Sequence, residues 1–285
     1  MQTPPATPPA TPPATPPIIP GITYAHHHPE RNLGDLHPPA TPATITPAPA
    51  ALVIHGGGWN AMDKHGLAGI AQLLATLGYA AYNINYRLLD HAPWPACGDD
   101  CLAAARFLLD GDHPAFAKLD RSRIVIVGAS AGGHLALMTG LRLDRERVRA
   151  IVSIAGPADL VRRFARPGRD KAAFAGRFLR PRASDDTDRL LAEASPINHV
   201  TADAPPLLCI HSRNDELVRP EQSQWILDAY RAAGAHAPAH LHLFDGPGKQ
   251  HGIWIEGTDP HQLLPEPANA LQTFLTTLAP ASAPR

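Results

Sequence analysis

From residue 51 onward, short apolar runs rich in Val, Ile and Leu alternate with longer stretches whose apolar positions recur every three or four residues. Runs of the first kind suit strands buried on both faces, and stretches of the second suit helices that dock one face. Their alternation is the pattern of βα units on a mostly parallel sheet. Strands are predicted at 51–55 (ALVIH), 80–86 (AAYNINY), 123–129 (RIVIVGA), 150–156 (AIVSIAG), 206–211 (PLLCIH) and 240–244 (HLHLF), with a further short strand in GITYA, 21–25. Helices are predicted near 65–77, 98–110, 131–142 and 221–233. A last helix sets Leu271, Phe274, Leu275 and Leu278 on one face, and Gly78 and Gly234 stand where two of the helices should stop. The expected architecture is α/β, a central sheet of about eight strands flanked by helices.

Two segments break this rhythm. The chain opens on MQTPPATPPATPPATPP, a Thr-Pro-Pro-Ala repeat that favours polyproline II or disorder, so 1–19 is expected to be a tail outside one domain spanning 20–280. The stretch from Pro157 to Pro196 is longer than an ordinary connection and rich in arginine, and it is expected to form a small cap insertion at about 157–196.

Composition narrows the function. Twenty-five Lys and Arg oppose 26 Asp and Glu, so no global field draws the chain to nucleic acid or to an anionic membrane, and a small substrate fits best. Nor does any run of 18 apolar residues argue for a membrane span. Cys97, Cys101 and Cys209 are too few and too scattered for a disulfide framework; they read as packed thiols, with a weak metal pair at 97 and 101 as the alternative. The His26, His27, His28 trio reads as an exposed polar loop. The N-terminus shows neither a basic n-region nor an apolar h-region, which points to the cytoplasm, with export open if the start is miscalled.

The candidate chemistry begins at Gly128-Ala-Ser-Ala-Gly132, a G-x-S-x-G run between a predicted strand and a predicted helix. In that context the small neighbours let a strained turn lift the Ser130 hydroxyl clear of the sheet. No G-x-G-x-x-G or G-K-[ST] follows a strand, so a dinucleotide or P-loop reading fails. A serine nucleophile needs a base, an acid that orients it, and donors for the oxyanion. His55-Gly-Gly-Gly-Trp59 follows a buried strand, and its side-chain-free amides make Gly57 and Gly58, with Ala131 after the serine, the candidate oxyanion hole, Gly56 forming the turn. Asp215, with Glu216 as the neighbour easily confused with it, follows the PLLCIH strand. His251 follows HLHLF, completing the order Ser, Asp, His. Trp59 and Trp254 flank the oxyanion and base segments, either lining the substrate pocket or packing in the core.

With these motifs the chain resembles the esterase/lipase-like α/β hydrolases that carry HGGGW, close to the hormone-sensitive-lipase group and to feruloyl and acetylxylan esterase-like proteins. The likeness runs from about Ile22 to Leu278 and includes NYRLLDHAPWPACGDDCLAAARFL, in which Tyr86, Arg87, Pro95 and Asp100 match family positions, and ASPINHV. It departs at His211-Ser212, where the family usually has His-Gly, and at Gly-Lys-Gln before His251, where a small residue is usual. A long N-terminal helical cap of the hormone-sensitive-lipase kind is also missing, which favours the feruloyl-esterase-like branch.

The resemblance implies a serine carboxylesterase for short-acyl or aromatic-acid esters, acting through an acyl-enzyme with no metal or organic cofactor on a small-molecule ester. Two alternatives stand beside it. One is an amide hydrolase resembling arylformamidase, and the other is a non-catalytic protein of the same fold that binds partners through the proline-rich tail. Between Arg162 and Arg182 the insertion holds Arg162, Arg163, Arg166, Arg169, Lys171, Arg177, Arg180 and Arg182 against Asp170 alone. That stretch is read either as a solvated basic face or as a field that steers anionic esters.

Overall fold

In the computed structural model, the described residues are 16–40, 47–165, 168, 170–181, 186–246, 251–252 and 254–278. Most of the proline-rich repeat, and Arg166, Arg169 and Arg182 of the basic stretch, lie outside them.

Eight strands form one sheet in the order β1 (Ile19–Thr23), β2 (Leu33–His37), β4 (Ala80–Ile84), β3 (Ala48–Ile54), β5 (Leu119–Ala129), β6 (Val148–Ile154), β7 (Leu207–Ser212) and β8 (Ala239–Phe244). The pairs β1–β2 and β2–β4 are antiparallel, and every pairing from β4 to β8 is parallel. The mostly parallel α/β architecture expected from the pattern is therefore the one observed. Strand β2 escaped the sequence reading because Gly34 and Asp35, both poor strand formers, occupy its middle. It is held by pairing instead: Gly34 lies so close to β4 that a Cβ there would come within 2.6 Å of the Tyr82 ring.

Alternate residues of the central strands feed two separate cores, which explains why those strands read as unbroken apolar runs. Leu52, Ile54, Ile124 and Ile126 pack with helices α2 (Ala96–Asp110), α3 (Ala131–Arg142) and α6 (Glu221–Ala232) on one face. Ala51, Val53, Val125 and Val127 pack with α1 (Ala68–Thr76) and α7 (Pro265–Thr277) on the other, where Leu271, Phe274 and Leu275 are the buried stripe of α7. Cys97 and Cys101 sit in the first core as free, buried thiols, and burial pushes the Cys97 pKa up to about 12. Among the described residues no group of three or more His, Cys, Asp and Glu side chains is placed to hold a metal ion, and no helix is long and apolar enough to cross a membrane.

The β6–β7 connection carries two further helices, α4 (Lys171–Phe178) and α5 (Thr187–Glu193). Phe178 is fully buried, stacked on Trp94 and edge-on to Trp59, and Trp94 N–H donates to the Phe178 carbonyl at 2.8 Å. These contacts seat α4 on the main body. Because β3, β5, β7 and β8 run parallel, their carboxyl ends open on one edge of the sheet, and the four motif segments leave from that edge.

Candidate active site

Ser130 occupies the turn from β5 into α3 with φ 55° and ψ −122°, a conformation that side chains rarely adopt. The flanking glycines are required by contact as well as by the turn. A Cβ on Gly128 would lie 2.1 Å from the Gly132 carbonyl oxygen, and one on Gly132 would lie 2.0 Å from that of Ile54. The turn leaves Ser130 only 8% exposed, its hydroxyl held by a partner.

That partner is His251. Its Nε2 stands 2.7 Å from Ser130 Oγ, across 121 positions of sequence, and its Nδ1 stands 2.7 Å from Asp215 Oδ2. Asp215 is buried, and its other oxygen accepts from the backbone N–H groups of Leu217 (3.0 Å) and Val218 (2.9 Å). Burial alone would raise the carboxyl pKa. Hydrogen bonds from His211 and His251, the charge of a protonated His251 and the Val218 amide outweigh it and hold the group well below the usual carboxylate range. Glu216, the neighbour in sequence, faces a separate cavity between the β6–β7 connection and α6.

The glycine loop lies directly over this serine. A Cβ on Gly56 would come within 3.2 Å of Ser130 Cβ, so a side chain there would push the loop and the serine apart by a few tenths of an ångström. Gly57 (φ 97°) and Gly58 (φ 59°) turn the chain, and the Gly57 carbonyl accepts from the amides of Asn60 and Ala61. The amides of Gly57 and Gly58 have no protein acceptor among the described residues. Ala131, as the first residue of α3, likewise has no carbonyl one turn back to bond. Behind the loop, Tyr86 Oη donates to the carbonyls of His55 and Gly56 at 3.1 Å, while its ring stacks on His55 at 4.2 Å. Arg87 grips the buried Asp100 through its backbone amide (2.8 Å) and its guanidinium (2.7 Å), fixing the start of α2.

Both tryptophans are buried, Trp59 in one core and Trp254 in the other. Trp59 Nε1 donates to His134 Nδ1 at 3.2 Å, and His134 Nε2 donates to the Ala194 carbonyl at 2.8 Å, so this pair ties the glycine loop to α3 and to the β6–β7 connection. Trp254 stands edge-on to His251, with centroids 5.8 Å apart. Each ring thus packs in a core, and Trp254 does so beside His251.

Two features of the acid loop were not legible in the sequence. His211 is fully buried, bonded to Ser223 Oγ and to the Val218 carbonyl, each at 2.7 Å, and its Nε2 lies 3.5 Å from Asp215 Oδ2. Ser212, at the position where glycine was expected, accepts from the amides of Asn214 and Gly246 at 3.1 Å and so joins the acid-bearing loop to the one that leads to His251. The Gly-Lys-Gln departure at 248–250 lies outside the described residues. In the basic stretch, Arg162 pairs with Asp159 at 3.3 Å and lies over Trp225, Arg163 lies over Phe174, and Lys171 pairs with Asp188. The positive excess along the sequence is thus partly met in space by acids and ring faces.

A family model, BD-FAE, matches residues 35–230, which hold the glycine loop, the serine turn and the acid. The chain belongs to the BD-FAE family. Among curated relatives, esterase LipC of Mycobacterium tuberculosis (strain ATCC 25618 / H37Rv) is 31% identical over 224 residues, covering 73% of this chain and 53% of that protein. Probable carboxylic ester hydrolase LipM of the same strain is 31% identical over 218 residues, covering 70% and 50%. The chain therefore spans about half the length of the curated relatives it matches. Among solved structures, a truncated form of a carbohydrate esterase from gut microbiota superimposes with a TM-score of 0.75 at 26% identity, covering 93% of this chain and 96% of that one. The BD-FAE chain has the α/β-hydrolase fold of these esterases, of the esterase/lipase-like group that its motifs resemble.

Proposed function

We propose that the protein is a serine-dependent carboxylic ester hydrolase acting on short-acyl or aromatic-acid esters. The observation that carries this reading is the unbroken chain from Ser130 Oγ through His251 to Asp215, with both contacts at 2.7 Å. In the reaction, Ser130 Oγ attacks the ester carbonyl carbon as its proton passes to His251 Nε2. Asp215, bonded at Nδ1, fixes the tautomer that leaves Nε2 free to accept and then stabilises the imidazolium. The amides of Gly57, Gly58 and Ala131 receive the tetrahedral oxyanion. Collapse breaks the bond to the leaving alcohol, which departs with the proton from His251. Water, deprotonated by the same imidazole, then attacks the acyl-enzyme, and the acid is released with Ser130 restored.

That LipC, LipM and the superimposed carbohydrate esterase are each esterases or ester hydrolases supports the reaction class. The β6–β7 connection acts as a cap, seated on the oxyanion loop through Trp59 and Phe178. The test is a panel of p-nitrophenyl, feruloyl and acetylated-sugar esters, run beside an aryl ester and its matched arylformamide. Hydrolysis of esters that disappears in S130A, with stoichiometric labelling of Ser130 by a fluorophosphonate, is the expected result. A clear preference for the formamide would move the reading to amide hydrolysis. Absence of labelling in the folded protein would overturn it.

A further inference from the structure

Arg31 lies in the polar loop between β1 and β2, far in sequence from every motif of the site. Its guanidinium nevertheless makes three contacts at the root of the glycine loop. Nε donates to the Tyr86 carbonyl at 2.8 Å, and Nη2 reaches both His55 Nε2 and the Met62 carbonyl at 3.2 Å. Tyr86 follows β4, His55 opens the loop and Met62 closes it, so one planar cation spans the base of the segment that carries Gly57 and Gly58.

The His55 ring makes this contact specific. It is fully buried and stacked on Tyr86, and its Nδ1 lies 2.8 Å from the carbonyl of Gly56. A carbonyl only accepts, so Nδ1 carries the proton. Burial holds the ring pKa down to about 3, so the imidazole is neutral at ordinary pH and its Nε2 presents a lone pair. Arg31, cationic at every ordinary pH and unable to accept, donates to that lone pair. Its donation fixes the tautomer in which the other nitrogen grips Gly56, whose Cα stands beside Ser130. We infer that Arg31 is a positioning residue for the oxyanion hole, acting through His55 to hold the Gly56–Gly58 turn against the nucleophile.

This inference rests on the proposed ester hydrolysis, and its test separates the two. R31A and R31K are compared with wild type and S130A for ester hydrolysis, affinity for a trifluoromethyl ketone, thermal midpoint, and the 15N signals of the His55 ring, assigned with H55N. Loss of alignment at oxyanion donors costs on the order of 10- to 1000-fold in kcat. R31A is expected to fall in that range with KM within about threefold of wild type, because the ground-state ester makes little use of the hole. Trifluoromethyl ketone affinity, which depends on an oxyanion at the same place, is expected to weaken by a factor close to that in kcat/KM. Guanidinium chloride at tens of millimolar is expected to restore R31A activity several-fold, while sodium chloride does not. R31K, a point charge in place of a three-way fork, is expected to recover little. In the 15N spectrum R31A is expected to change the His55 Nε2 signal, a readout that does not depend on turnover. If wild type hydrolyses no ester, the functional reading fails while the spectrum still decides the Arg31–His55 contact. Activity in wild type with R31A unimpaired, or impaired only in proportion to a lowered melting point and deaf to guanidinium, overturns the positioning role.

Discussion

Gly132 of the serine turn lies against Ile54 at the end of β3: a side-chain carbon added at Gly132 would sit 2.0 Å from the Ile54 carbonyl oxygen and 2.4 Å from that of His55. Both oxygens belong to the backbone, so no rotamer change can relieve the overlap. The second glycine of G-x-S-x-G thus sets the spacing between the strand that presents Ser130 and the strand that presents the glycine loop.

G132A is accordingly expected to lose activity by more than about a hundredfold, the scale of one displaced oxyanion donor, and to melt several degrees lower. Circular dichroism melting beside kcat/KM for a p-nitrophenyl ester checks it. Wild-type turnover in this variant would contradict the contact.

Replacing Asp215 by Asn should keep the fold but present His251 with the wrong tautomer, and kcat is expected to fall about 10³- to 10⁴-fold, as for the Ser-His-Asp enzymes that define this scale. The carboxyl pKa is depressed in the folded state, so its stabilising contribution is full above the unfolded value and is lost progressively as pH falls from there toward the folded one. Urea titrations between pH 7 and pH 3 are expected to show D215N less acid-sensitive than wild type.

His55 and His134 make the opposite kind of contribution. Both are buried and neutral, with burial lowering their pKa values to about 3 and about 4. As pH drops below about 6.5 the unfolded chain takes up protons that the folded one does not, so each ring lowers stability by at most about 1.4 kcal/mol per pH unit down to its folded pKa. The unfolding midpoint should fall steadily from pH 7 to pH 4.5, and H134Q, which removes one of the two groups, should show a shallower slope from a lower starting stability.

Ser212 offers a test against the residue common in related proteins. S212G removes the hydroxyl that accepts from Asn214 and Gly246. A loss of about 1–2 kcal/mol in unfolding free energy is expected, with a several-fold drop in kcat as the loops carrying acid and base loosen. Urea unfolding and steady-state kinetics on one preparation measure both.

The reach of the sequence can be judged from particular residues. The apolar runs located β3 to β7 because those strands are buried on both faces over most of their length, β8 was located by the alternation in HLHLF although only Phe244 is buried, and α3 fell at 131–142 because the serine turn fixes its start. The positions of Ser130, Asp215 and His251 were legible because each follows a parallel strand and all such strands end on one edge. Arg31, His134 and His211 were not legible. Each works by a hydrogen bond across the fold, and neither periodicity nor local turn chemistry encodes such a partner. The two tryptophans were left between pocket and core for the same reason: adjacency to a motif in sequence does not say which side of a loop a ring takes.

One consequence of the buried thiols is practical. Cys97, Cys101 and Cys209 are fully enclosed, and burial raises the pKa of each, so they stay protonated and shielded from electrophiles. A cysteine engineered at Leu217, a residue 54% exposed whose amide binds Asp215, can therefore carry a dye in the otherwise native sequence. Such a conjugate would report by fluorescence how the loop that holds Asp215 responds when an ester is added.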